Sequence, residues 1–293
     1  SVDVWVAAGS RHEREPEQGI SHFIEHMLFK GSARRSARDI SEEMDRLGGS
    51  VNAYTAKEYT RYYCQCLGES AVPALDILCD MLASPRLDPA EMERERGVIL
   101  DEMAMYEDSG EDVAHEALCA AVWPHSPLGR AICGLTETVA TLTAEDLRRY
   151  MRRHYTPERM VAVAAGRFDR EGVLRLLRDT LGALPRGEGV PQPDAPAFTP
   201  SLALKPKEFE QTSLVLATPG LPAGDPRRYA MSLLNFIVGG GASSRLFQRL
   251  REELGLAYSV YSASYASRGA GLFTVAASFS ADRQEQVLSE LQA

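Results

Sequence analysis

Two histidines and a glutamate share one apolar stretch, "HFIEHMLFKG", and their spacing is typical of a metal-binding helix. His22 and His26 are four residues apart, so on an α-helix their side chains lie on one face and reach a single metal ion. Glu25 is displaced from that face, where a carboxylate can take a proton from water without being a ligand. Buried imidazoles and a carboxylate are costly without a counter-charge, which a divalent cation supplies. The order H-x-x-E-H is a zinc-peptidase pattern, whereas an isolated histidine pair at this spacing is commonly structural.

A catalytic zinc site has three protein ligands and a water, so a third ligand is required. The helical stretch 88–107 offers several acids. Its apolar face is predicted to be formed by four residues: Met92, Val98, Ile99 and Tyr106. Glu95 and Glu102 fall within this face at about 100° per residue, and an inward carboxylate needs a partner. Three acids point away from the face and are expected in solvent: Glu93, Asp101 and Glu107. The pattern therefore predicts that Glu95 or Glu102 is the third ligand and that the other acid supports the site.

Hydrophobic periodicity and capping residues predict the elements that carry these side chains. In the first part of the chain, strands are predicted at 2–8, 50–56, 59–67 and 159–166. Helices are predicted there at 18–31, 36–47, 70–83, 88–107, 110–122, 143–153 and 169–182. Further along, strands are predicted at 212–220, 256–266 and 271–279, and helices at 225–241, 243–254 and 281–293.

The order strand–helix–helix–strand–strand occurs twice, on either side of a Pro- and Gly-rich stretch at 184–200. The segments "DRLGGSVNAYTAKEYT" and "EELGLAYSVYSASYAS" each combine a helix end, a glycine break and a strand that carries Ala and Tyr. We therefore expect an α+β protein of two homologous α/β-roll domains, each with an antiparallel-rich sheet and helices on one face. The predicted bounds are 1–183 for a metal-binding domain, 184–200 for a linker and 201–293 for a second domain. The second domain is expected to be incomplete in this chain, because no helices follow to match those at 70–153.

The composition, with 44% hydrophobic and 25% charged residues, is that of a soluble globular protein. No apolar run of about 18 residues is present, so no membrane span is expected. A net charge of −9 argues against a nucleic-acid partner. Five cysteines without a C-x-x-C pair are expected to be reduced thiols, as in a cytosolic protein. Since the first residues already form a strand pattern without an initiator Met, a removed export signal remains an alternative.

Four motifs, taken together and in order, resemble the insulinase, pitrilysin and mitochondrial-processing-peptidase family of zinc peptidases. They are "GISHFIEHMLFKGS", "GGSVNAYTAKEYTRYY", "EMERERGVILDEMAMYEDS" and "GGGASSRLFQRLREELGLAYSV". The short bacterial processing-peptidase-like members are the most similar group. The resemblance covers essentially the whole chain, although members of this type have about 400 or more residues.

The resemblance implies a role for several residues. The second acid of the metal site, about 76 positions after the last histidine, corresponds to Glu102, and the auxiliary acid corresponds to Glu95. Arg251 and Tyr258 match an Arg–Tyr pair that holds substrate and stabilises the reacting carbonyl. Asn52 and Ala53 match an edge strand to which substrates add as an extra strand.

The expected protein is therefore a zinc endopeptidase in which His22, His26 and Glu102 bind Zn²⁺ and Glu25 is the base. Its expected substrates are peptides or unfolded segments, bound in an extended conformation inside a two-domain chamber. The alternative is a non-catalytic, zinc-containing subunit that binds peptides or pairs with an active homologue. Either a homodimer or a heterodimer with a homologous subunit is compatible with the resemblance.

Overall fold

A computed structural model of the chain describes residues 1–187, 189 and 194–292. The chain divides into two compact units. The first comprises Ser1–Met103 and Ala131–Pro193, and the second comprises Ala104–Arg130 and Asp194–Ala293.

The first unit is built on a four-stranded antiparallel sheet. Its strands are β1 (Val2–Val6), β2 (Ser50–Thr55), β3 (Thr60–Gln65) and β4 (Met160–Ala164), in the spatial order β2-β3-β1-β4. Strand β1 is central because Val4 lies opposite Tyr62 of β3 on one side and Ala162 of β4 on the other. Strand β2 is consequently an edge strand, paired only on its β3 side within the described sheet.

Seven helices of the first unit are described: α1 (Ile20–Leu28), α2 (Ala37–Arg46), α3 (Ala71–Ala83), α4 (Pro89–Glu107, whose first fifteen residues belong to this unit), α6 (Thr136–Val139), α7 (Ala144–His154) and α8 (Arg170–Asp179). The core forms between these helices and one face of the sheet. On that face Val2, Val4 and Val6 alternate inward, as a strand with one buried side requires. The opposite face carries Trp5, whose ring lies 4.9 Å from that of Tyr59 and beneath the Arg61 guanidinium. One face of the sheet is thus covered by helices, as the sequence predicts.

The second unit repeats the connectivity of the first. It contains α5 (Gly110–Val122), β5 (Thr212–Pro219), α9 (Arg228–Val238), a π-helix (Phe247–Glu253), β6 (Ser259–Ser267), β7 (Ala270–Phe279) and α10 (Gln284–Gln292). Its antiparallel strand order β5-β7-β6 matches β1-β3-β2 of the first unit, because in both the third strand of the repeat pairs with the first and the second. The predicted α+β class and the duplication are therefore confirmed.

Two sequence-based expectations on local structure are wrong. The stretch 243–254 was expected to be an α-helix, but its hydrogen bonds follow the wider π pattern over Phe247–Glu253, with Leu254 N donating to the Arg249 carbonyl at 3.2 Å. Val98 is 50% exposed and Tyr106 is 41% exposed, so the buried face of α4 is narrower than the periodicity indicates. A helical period shows which residues share a side, but only the neighbouring elements decide how much of that side is covered.

The predicted linker at 184–200 lies partly outside the described residues, and the predicted domain bounds stay a prediction. None of the five cysteines, all of which the structure describes, forms a disulfide. Within the described part of the chain, no helix combines the length and the apolar character that a bilayer crossing demands.

Candidate metal centre

Helix α1, which carries His22, Glu25 and His26, is fixed at its first turn by a buried acid. Gly19 begins the helix at φ +93°, and a Cβ there would lie 2.5 Å from the Cys133 carbonyl oxygen, so only glycine fits. The Glu13 carboxylate accepts hydrogen bonds from the backbone N–H groups of Gly19 (2.8 Å) and Ser21 (2.9 Å). Burial raises the pKa of Glu13 to about 7, although these hydrogen bonds oppose the rise. Glu13 therefore satisfies free N–H groups at the start of α1 and sets the position of the helix.

Three side chains from α1 and α4 converge on one point. Donor atoms of His22, His26 and Glu102 all lie within 4.8 Å of one another, and no other such group of His, Cys, Asp and Glu occurs among the described residues. Oε2 of Glu102 is 3.3 Å from Nε2 of His26 and 3.6 Å from Nε2 of His22. Zinc–ligand distances of about 2.0–2.1 Å in a tetrahedron require donors about 3.3 Å apart. The donor set and its spacing therefore fit a zinc ion.

Helix α4 is held against α1 by core packing and by one arginine. Met92 and Ile99 of α4 are fully buried in the same core as Phe23 of α1. The Arg96 guanidinium lies 5.4 Å from the Phe23 ring centre and donates to the Leu142 carbonyl at 2.8 Å. These contacts bring Glu102, far away in sequence, to the two histidines.

The protonation state of His22 also suits a metal. Burial, reinforced by the neighbouring His26, lowers the pKa of His22 to about 4, while Glu102 opposes this shift. His22 is thus a neutral imidazole at neutral pH, which is the form that binds metals. Its Nδ1 is buried and has no hydrogen-bond partner among the described residues.

Glu95 lies on the far side of His26 from Glu102. Its Oε2 is 3.2 Å from Nδ1 of His26, and its Oε1 is 2.8 Å from Nζ of Lys30. A carboxylate on the second ring nitrogen fixes the tautomer that leaves Nε2 available to a metal. Where the helical pattern left Glu95 and Glu102 as alternatives, the structure therefore gives them different places: Glu102 beside both Nε2 atoms, and Glu95 behind one ring.

Glu25 lies beside the three donors and outside their group. One of its oxygens, Oε2, accepts a hydrogen bond of 2.5 Å from the Thr55 hydroxyl, at the end of β2. Burial raises the pKa of Glu25, and the Thr55 hydrogen bond and the nearby His26 oppose the rise. A carboxylate with a raised pKa that lies next to a metal centre is suited to accept a proton.

Asn52 and Ala53 lie on edge strand β2, where the resemblance implies that an extended peptide adds to the sheet. Ala53 faces the core, whereas Asn52 is exposed. The Asn52 side chain accepts a hydrogen bond from the Ala53 N–H at 2.8 Å, so a peptide pairing there would compete for this donor.

Arg251 and Tyr258 belong to the second unit. Arg251 lies within the π-helix, and its guanidinium is 4.8 Å from the Phe247 ring centre and 5.5 Å from that of Tyr258. Tyr258 is 72% exposed. The two residues that the resemblance pairs thus touch each other, and their part in a reaction stays a prediction. Helix α9, the counterpart of α1 in this unit, has the sequence RYAMSLLNFIV and offers no metal ligand.

Three residues that support the site were not found from the sequence: Glu13, Lys30 and Thr55. Lys30 stands four residues after His26, and this spacing could have indicated a contact with an acid near that ring. Thr55 shares the inward side of β2 with Ala53, which weakly indicates a contact with α1. Glu13 lies in the polar loop before Gly19, and no local sequence pattern indicates its contact with the start of α1.

Two family models match the chain. "Insulinase (Peptidase family M16)" matches residues 1–135, which include His22, His26 and Glu102, and "Peptidase M16 inactive domain" matches residues 141–293. A Bacillus subtilis (strain 168) protein named "Uncharacterized zinc protease YmxG" is 40% identical over 292 residues, which are 100% of this chain and 71% of that protein. A Streptomyces coelicolor protein, also named an uncharacterized zinc protease, is 41% identical over 93% of this chain and 61% of its own length.

Among solved structures, a crystal structure described as a peptidase M16 inactive domain from Pseudomonas fluorescens has a TM-score of 0.89 and 24% identity. The match covers 99% of this chain and 71% of that one. At this identity, the likeness concerns the fold alone.

Proposed function

The chain belongs to the insulinase family of peptidases, family M16, and from this membership we propose that it is a zinc-dependent endopeptidase. The observation that carries the proposal is the convergence of His22, His26 and Glu102 within 4.8 Å of one another, with Glu25 beside them. The proposed substrates are peptides or unfolded segments in an extended conformation.

Zinc is the metal that the donor set favours. Two imidazole nitrogens and one carboxylate oxygen form a common catalytic zinc set, and the relatives' names include zinc. When bound, the ion supplies a Lewis acid that acidifies water and polarises the scissile carbonyl. His22, His26 and Glu102 would hold it, and Glu95 would keep the His26 ring in place.

Glu25 is proposed to move the proton. Its raised pKa makes it a better base than an exposed glutamate, and it lies outside the group of donor atoms that could hold the metal. It would take a proton from the attacking water and deliver it to the leaving amine as the carbon–nitrogen bond breaks. A site that served only to bind zinc would have no use for this carboxylate.

Strand β2 is proposed to align the substrate. Its free edge can pair with an extended peptide through the backbone, which tolerates many sequences, and Asn52 and Ala53 lie along this edge. Arg251 and Tyr258 are proposed to contact the substrate, with Tyr258 stabilising the negative charge that develops on the carbonyl oxygen.

A second candidate function is a zinc-containing subunit without activity that binds peptides or pairs with an active homologue. The match of residues 141–293 to a domain described as inactive is the observation that favours it. The retained Glu25 favours the peptidase.

The two functions are separated by one assay. The zinc-loaded chain is incubated with quenched fluorescent peptides of mixed sequence, with and without a chelator, beside Glu25→Gln. The peptidase predicts chelator-sensitive cleavage and a loss of about 10²–10⁴-fold in Glu25→Gln, with an unchanged zinc content. Retained turnover in Glu25→Gln would refute the role of the base, and zinc binding without any cleavage would favour the subunit.

A further inference from the structure

Thr55 forms the link between the edge strand and the carboxylate of Glu25. We propose that Thr55 is a positioning residue: its hydroxyl holds one Glu25 oxygen, so that the other oxygen is presented to the water. The inference rests on the proposed function and adds a residue to it.

The contact is short and its donor is rigid. Thr55 Oγ1 lies 2.5 Å from Glu25 Oε2, a distance typical of a hydroxyl that donates to a carboxylate. Thr55 is β-branched and has few side-chain rotamers, and its backbone lies opposite Thr60 in the β2–β3 ladder. The sheet therefore determines where the donor is.

The acceptor is flexible without this contact. A glutamate side chain has three rotatable bonds, and fixing them costs conformational entropy. Glu102 is close enough to Glu25 to repel its charged carboxylate. Without Thr55, the carboxylate would sample orientations that a base does not use. Small misplacements of a reacting group lower rates by up to about 10²-fold.

The link also joins substrate binding to catalysis. Thr55 ends the strand whose edge the substrate is proposed to occupy, so the group that holds the base belongs to the element that aligns the peptide. A peptide that pairs with β2 would stiffen the strand that bears this donor.

Three variants of the full chain test the proposal. Thr55→Val has the same shape but lacks the hydroxyl, and Thr55→Ser keeps the hydroxyl. Thr60→Val is the matched control, because Thr60 is the residue opposite Thr55 and its hydroxyl donates to the Ala8 carbonyl at 2.9 Å rather than to Glu25.

Thr55→Val is expected to lower kcat by about 10–100-fold, with KM and zinc content close to wild type. Thr55→Ser is expected to recover most of the rate, and Thr60→Val to keep the wild-type kcat despite a lower stability. A wild-type kcat in Thr55→Val, or an equal loss in Thr55→Ser, would overturn the proposal.

A second measurement does not depend on activity. Urea unfolding of the zinc-free chain is compared for the wild type, Thr55→Val, Glu25→Ala and the double variant. Thr55→Val should lower the unfolding midpoint clearly in the wild type and little when Glu25 is absent, whereas additive shifts would contradict the contact. If the wild type cleaves no peptide, the proposed function fails, and this cycle alone decides whether Thr55 orients Glu25.

Discussion

Replacing Glu95 by Gln is expected to weaken zinc binding while the chain remains folded. Glu95 is 6% exposed and contacts both Nδ1 of His26 and Nζ of Lys30. The amide oxygen of a glutamine can still accept a hydrogen bond from the imidazole. Because the amide carries no charge, it increases the basicity of the His26 ring less than a carboxylate does, and it cannot form an ion pair with Lys30.

The size of the effect follows from the place of Glu95 behind the ring. Removing a carboxylate that supports a metal-bound histidine typically costs 10–100-fold in affinity, about 1.4–2.7 kcal/mol. The loss should come from the metal-bound state. In the zinc-free chain Lys30 is partly exposed and water replaces its partner, so the thermal midpoint without metal should change little.

Zinc affinity is measured by competition with a chromophoric chelator at fixed pH and salt. The matched control is Glu93→Gln, because Glu93 lies on the same helix, is exposed and pairs with Arg96 instead of with the site. Glu93→Gln should bind zinc as the wild type does. A second variant, Lys30→Met, keeps Glu95 but removes its cation, and a smaller loss of affinity is expected. An affinity of Glu95→Gln within about twofold of wild type, outside the range for lost support of a ligand, would refute the reasoning.

Three further predictions concern the ligands, the second unit and the response to acid. His22→Ala should lose zinc, because two donors remain where three are needed; one zinc per chain by elemental analysis would contradict the assignment. Tyr258→Phe should lower kcat by about 10²–10³-fold with little change in KM if its hydroxyl stabilises the oxyanion, which steady-state kinetics of peptide cleavage would check. Burial, together with Arg153, lowers the pKa of His154 to about 3. Below about pH 6.5, His154 therefore takes up a proton in the unfolded chain but not in the folded chain. The free energy of unfolding should fall by a few kcal/mol as the pH drops from about 6.5 to 3. His154→Gln should show a flatter urea-midpoint profile over this range, and parallel profiles would refute the contribution of this histidine.

Most helices and strands could be predicted because their signals are local. Ser36, Thr143 and Asp169 each accept a backbone hydrogen bond in the first turn of the helix that follows, as capping residues do. The alternation of apolar residues in β1 and the glycines that end α2 are also signals within a few residues of sequence. The π-helix could not be predicted, because its apolar residues recur as those of an α-helix do. The two helices differ in which carbonyl accepts the hydrogen bond of each N–H, and this choice depends on packing and on the neighbouring turns.

The candidate site was predictable to the extent that it depends on spacing. His22 and His26 share a helix face, so four residues of sequence suffice to pair them. Glu95 and Glu102 also share a face, so periodicity could not assign their roles, and the resemblance to a known family distinguished them. Glu13, Lys30 and Thr55 act through contacts between separate elements, and such contacts appear only when the sheet and helices have assembled.

Arg251 lies within the π-helix Phe247–Glu253, so the direction of its side chain depends on the number of residues in this helix. Each residue of an ordinary helix turns the chain by about 100°, and the wider π turn accommodates extra backbone within the same run. Deleting one residue would let the segment relax into regular winding, and the guanidinium would swing away from Phe247 and Tyr258. Homologues that keep an arginine at this place but differ in length before it would thus present its charge to a different neighbour.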